Sequence, residues 1–149
     1  MQIAWRRFLQ CWVDVLAALG PINQTTSRII KAAIDVHRTL GPGLLEAVYF
    51  SCLLYELRTA GLKVECEKRL PITYKGVMMD CFYKLDLLVE DLVVVEIKVV
   101  EYLLAVHKAQ LLTEMKLSGK PVGLLLNFNV PVMKDGVTRL LNRSALETV

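Results

Sequence analysis

The sequence predicts an α/β domain with a mixed sheet flanked by helices. Three observations carry this. Helical periodicity recurs over residues 27–40, 44–60 and 103–117. Between the second and third of these lie β-branched, apolar runs separated by turn residues. A last run, residues 122–128, is apolar throughout and so reads as a strand buried on both faces.

Each element has a local cause. Thr25, Thr26 and Ser27 offer helix N-caps, and Ile29, Ile30, Ala33, Ile34 and Val36 mark the apolar positions that follow. Gly41-Pro42-Gly43 stops that helix, and Gly61 fits the C-terminal cap of the second. Residues 62–74 alternate loosely around Pro71, as an edge strand does. Lys75-Gly76 marks a turn, residues 77–89 a second strand and residues 93–100 a third. Ser118-Gly119 and Pro121 close the last long helix. The tail, residues 130–149, shows a turn at Lys134-Asp135-Gly136 and little else.

Composition sets outer bounds. A chain of 149 residues, 54% hydrophobic and 22% charged, is one compact domain's worth and excludes a disordered protein. A net charge of +3 permits nucleic-acid contact without requiring it. Cys11, Cys52, Cys66 and Cys81 form no CxxC pair, which argues against zinc and for free thiols in a reducing compartment, the cytoplasm. Residues 1–24 stand apart. Arg6-Arg7 precedes an apolar run broken by Gln10 and Asp14, too short and too polar to span a bilayer and without a clear cleavage site. An appended amphipathic helix is expected there. Gly20-Pro21-Ile22-Asn23 predicts a boundary, with the domain proper at residues 25–149.

Asp86, Glu96 and Lys98 are charges in an otherwise apolar stretch. Glu96 and Lys98 share a strand face, about 6.5 Å apart along the strand. The simplest hairpin register, with the loop Glu90-Asp91-Leu92, sets Asp86 opposite Glu96. Directly opposed Cβ atoms lie about 4.5–5.5 Å apart, close enough for two carboxylates to share one cation. Without a cation the two repel and one is expected to protonate. Two acids and a lysine so placed can hold a divalent cation and polarise a phosphodiester.

Other polar residues point the same way. By helical periodicity Glu46 shares a face with Phe50, Leu53 and Leu57, where a carboxylate is costly. Either it reaches inward to the metal site, or it benefits from a wet first turn. His107, Gln110 and Glu114 form one stripe at i, i+3, i+7 spacing, read either as a solvated face or as part of the site. Lys84, two residues from Asp86, is a candidate phosphate contact or a side chain snorkelling off the sheet edge.

The run Leu40-Gly41-Pro42-Gly43-Leu44-Leu45-Glu46-Ala47-Val48-Tyr49 resembles the signature of the GxxExxY proteins. The likeness continues through Asp86-Leu87-Leu88-Val89, Glu96-Ile97-Lys98, His107-Lys108-Ala109-Gln110 and Asn127-Phe128-Asn129, and covers residues 27–141. That family is placed in the PD-(D/E)XK nuclease-like superfamily. The resemblance implies a core of helix, three strands, helix and strand. It implies that Asp86, Glu96 and Lys98 occupy the superfamily's Asp, Glu and Lys positions, with Glu46 the first-helix acid and Gln110 the second-helix glutamine. Two departures stand out: Leu85 replaces the named Pro, and Glu114 stands where many relatives have Tyr.

The expected activity is metal-dependent phosphodiester hydrolysis in nucleic acid, DNA ahead of RNA. Asp86, Glu96 and the main-chain carbonyl of Ile97 would bind Mg²⁺ or Mn²⁺. Lys98, Glu46 and Gln110 would serve catalysis, and Lys84 and His107 the substrate. Two rivals stay open: a non-catalytic binding module on the same fold, and a structural ion-pair cluster in which Lys98 neutralises Glu96. Oligomeric state is not legible.

Overall fold

The structure, a computed structural model, describes residues 2–146, with side chains from Gln10 onward apart from residues 11 and 12. In chain order it contains α1 (Gln2–Leu40), α2 (Glu46–Thr59), β1 (Val64–Tyr74), β2 (Val77–Val89), β3 (Val93–Lys98), α3 (Ala105–Ser118), β4 (Val122–Asn127), a 3₁₀ turn (Met133–Gly136), β5 (Val137–Leu141) and α4 (Arg143–Leu146). The strands form one sheet in the order β1-β2-β3-β4-β5. β1, β2 and β3 run antiparallel. The crossover through α3 makes β4 parallel to β3, and β5 returns antiparallel to β4. The expected mixed sheet flanked by helices is what the chain forms.

The sheet is covered on both faces. On one, Ile29, Ala33 and Val36 of α1 and Tyr49, Leu53 and Leu57 of α2 pack on Leu87, Val93, Val95, Leu124 and Leu126. On the other, Leu111 and Met115 of α3 pack on Leu85, Leu88, Val94 and Leu125. Close approach of α3 depends on Gly123, where a Cβ would stand 2.6 Å from the Met115 sulfur. β4 is buried along its whole length, as its apolar run requires.

Local chemistry explains the turns. Lys75 and Gly76 both have positive φ, 48° and 80°, the two-residue hairpin turn that matches strand twist. Pro71 lies on the edge strand at a register shift. Glu90, Asp91 and Leu92 form the expected three-residue loop, closed by the Leu92 N–H on the Val89 carbonyl at 3.0 Å.

Two expectations fail. The helix expected to start at Ser27 instead runs unbroken from Gln2 through Pro21. Proline in a helix removes one hydrogen bond, here the one to Ala17, which is exposed, so its freed carbonyl can be solvated. Just beyond, Ile22, Thr25 and Thr26 are buried, and the Arg139 guanidinium donates to the Asn23 side chain at 2.7 Å. Packing therefore carries the helix across the predicted break. The tail also does more than turn: β5 completes the sheet edge. Its sequence, Val137-Thr138-Arg139-Leu140-Leu141, lacks clean alternation, and pairing with β4 supplies what periodicity did not.

Candidate active site

The site is built at the C-terminal half of β3. The hairpin pairs Leu87 with Val95, Leu88 with Val94 and Val89 with Val93. That is the expected register, and one more step along it sets Asp86 against Glu96. Strand geometry is irregular there. Glu67, across β1 from Asp86, has φ 51°, and the two are missing from an otherwise continuous ladder. Leu85 and Leu88, three residues apart, both join the α3-side cluster, so alternation breaks at Asp86. The Asp86 carboxylate turns to β3, where its Oδ2 accepts the Ile97 N–H at 2.9 Å.

Lys98 and Gln110 complete a closed polar group with Glu96. The Lys98 ammonium donates to Glu96 Oε1 at 2.7 Å and to Gln110 Oε1 at 3.2 Å. The Gln110 amide N–H₂ donates to Glu96 Oε1 at 3.0 Å and to Glu114 Oε1 at 3.3 Å. Gln110 is thereby oriented at both ends. Glu96 and Glu114 are buried, and each keeps one carboxylate oxygen, Oε2, with no hydrogen-bond partner.

Glu46 enters from α2, but not as expected. It is exposed in the helix's first turn, and the buried stripe is Tyr49, Leu53 and Leu57. Burial therefore does not explain it. Position does: its charge interacts with Asp86 and Lys98. The loop that places it is fastened by Tyr49, whose hydroxyl donates to the Gly41 carbonyl at 2.5 Å and accepts the Leu44 N–H at 3.2 Å. Gly43 takes φ +98° in that loop, open to glycine and strained for other residues. The spacing Gly43, Glu46, Tyr49 thus has a mechanical meaning: turn, acid, anchor.

Electrostatics show a site overloaded with acid. Burial, then the Asp86 charge, pushes Glu96 up to about 7, against the pull of Lys98. Burial, then the Glu96 charge, pushes Glu114 up to about 8. Burial also raises Asp86, opposed by the Ile97 N–H and Lys98. Burial would lower Lys98, but its bond to Glu96 and the surrounding carboxylates raise it overall.

The remaining expected residues lie outside this group. Lys84 is exposed and ion-paired with Glu67 at 2.8 Å. The break at Asp86 is the reason: simple alternation no longer puts the two on one face. His107 caps α3, its Nδ1 accepting the Leu104 N–H at 3.0 Å. Glu114, read as a possible solvated position, is buried and faces Glu96. Sequence alone undervalued it; its i+4 spacing from Gln110 was the available signal.

The profile of the PD-(D/E)XK nuclease superfamily matches residues 23–140, most of the chain. The chain belongs to that superfamily. No curated protein and no solved structure matches it. The superfamily's acids and lysine correspond to the cluster just described, and Leu85, at the named Pro position, is a fully buried core residue.

The site's own atoms were tested against a divalent cation. Among the described residues no three His, Cys, Asp or Glu side chains form a ready-made cage. Mg²⁺ does not need one: it keeps several waters and uses one or two carboxylates. Two buried, unpartnered carboxylate oxygens and hard oxygen donors in excess of positive charge fit such an ion.

Proposed function

We propose that the protein is a metal-dependent nuclease that hydrolyses phosphodiester bonds. The observation that carries the proposal is the buried, unpartnered Glu96 Oε2 beside Asp86 and Lys98. An uncompensated buried acid is costly unless it binds a proton or a cation.

Asp86 and Glu96, with the main-chain carbonyl of Ile97, would hold Mg²⁺ or Mn²⁺. Such an ion polarises the scissile phosphate and acidifies a water. Lys98 places a fixed positive charge where negative charge develops on the phosphate. Gln110 holds the Lys98 ammonium and Glu96 in one geometry. Glu114 locks the Gln110 amide. Glu46, exposed on the open side, accepts a hydrogen bond from an entering water.

The Lys98–Glu96 ion pair at 2.7 Å gives one rival a specific footing, a structural charge cluster in a binding module. A cleavage assay on labelled DNA and RNA with Mg²⁺ or Mn²⁺, run beside Lys98→Ala, separates the two. The nuclease reading expects metal-dependent cutting by the wild type and a loss of about 10²- to 10³-fold in the variant. Absence of cutting by a folded wild type with either metal overturns it.

A further inference from the structure

We propose that the cleft between the end of α1 and the segment after β4 is a second nucleic-acid contact, which grips the phosphate backbone of the strand that enters the candidate site. The inference takes its ligand class from the nuclease reading.

The cleft has a volume of about 430 Å³. Arg38 and Lys134 line it, and no acidic residue does. Both side chains are exposed, and among the described residues neither has an acidic partner. That distinguishes them from Lys68, Lys84 and Lys120, whose charges are taken up by Glu65, Glu67 and Asp91. Ile34, Pro42 and Met133 supply apolar surface beneath the cations, suited to a sugar or base edge.

The walls are fixed in place. His37 is buried, and its Nε2 meets the Val130 carbonyl oxygen at 2.7 Å, fastening α1 to the segment after β4. Gly136 lets the chain pass against Asn127: a Cβ there would stand 2.0 Å from the Asn127 carbonyl oxygen. The cleft is thus formed before any ligand arrives.

Its position suits a strand running to the carboxylates. The loop that begins with Gly41 and Pro42 in the cleft wall ends at Glu46. Behind that loop, Tyr49 stacks on Phe128 with ring centroids 4.5 Å apart, and the Phe128 N–H donates to the Lys98 carbonyl at 3.0 Å. Cleft and carboxylate cluster flank one partition. The cluster, with more acid than cation, repels a polyanion. Attraction must come from cations outside it, and phosphate neutralisation by Lys and Arg dominates such binding.

The test is fluorescence anisotropy of a labelled single-stranded oligodeoxynucleotide with the full chain, in EDTA, across a salt series. Arg38→Gln/Lys134→Gln should bind about tenfold or more weakly at low salt. Its slope of log affinity against log salt should shrink by about two, one per lost phosphate contact. Asp86→Asn should bind at least as tightly as wild type, since it removes negative charge. Thermal melting should be unchanged in the double variant, because both side chains are exposed. Equal affinity and slope in wild type and double variant, or no binding by wild type, overturns the proposal. Cleft-dependent binding without cleavage supports the cleft and defeats the nuclease reading instead.

Discussion

The two faces of the sheet bury different chemistry. Between the sheet and α1 and α2, Leu53, Leu57, Val95, Leu124 and Phe128 fill an apolar layer. Between the sheet and α3, Leu88, Val94, Leu111 and Met115 share the layer with Glu96 and Glu114. The first face holds the fold together. The second gives up some stability to keep carboxylates together away from water, a pattern of functional sites. The contrast makes substitutions on the two faces differ in sign.

The largest effect belongs to the apolar face. Phe128→Ala should cost about 3–5 kcal/mol, read from urea unfolding, because it removes a fully buried ring and its stack on Tyr49. A loss below about 1 kcal/mol would mean this face is not the main core.

On the α3 face the sign should reverse. Glu114→Leu replaces a buried acid by an apolar side chain, and such replacements are often neutral or stabilising by about 1–4 kcal/mol. The metal-free variant should therefore unfold at higher urea than wild type. Strong destabilisation would show that Glu114 is already compensated.

The end of α1 tests how far the apolar face extends. A chain beginning at Pro21 keeps Ile22 and Asn23 and puts proline at a helix start, where it is tolerated. It should melt close to the full chain. A chain beginning at Gln24 loses Ile22, worth about 1.5–3 kcal/mol when fully buried, and should melt several degrees lower. Equal melting of the two shorter chains would remove Ile22 from the core.

The smallest predicted effect is on pH. Glu96 and Glu114 titrate at about 7 and about 8 in the fold, above their ordinary 4.5. A carboxyl raised on folding stabilises below its unfolded value and loses that contribution as pH rises through its folded value. The metal-free protein should therefore melt a few degrees lower at pH 9 than at pH 5, and Glu114→Gln should flatten the slope. A melting temperature that rises over this window would contradict the raised values.

What the sequence revealed follows from what repeats along it. The β2–β3 register was legible because Val93, Val94 and Val95 leave one loop length that puts Asp86 beside Glu96. The buried strand β4 was legible because it is apolar without a break. Lys98 and Gln110 were legible as polar groups at strand and helix spacing. The rest depends on contacts between distant segments. Glu114 looks like any helix-surface acid until Gln110 and Glu96 are seen across from it. The partner of Lys84 is Glu67, seventeen residues back on the neighbouring strand. Pro21 reads as a breaker because local propensity cannot see Ile22 docking on the core.

The central claim is that the buried acids of the α3 face hold a divalent cation. Titration calorimetry of the full chain with Mn²⁺ at neutral pH tests it most directly. The account predicts saturable binding that Asp86→Asn weakens tenfold or more and that Phe128→Leu, on the opposite face, leaves unchanged. No binding heat, or equal affinity in wild type and Asp86→Asn, would contradict it.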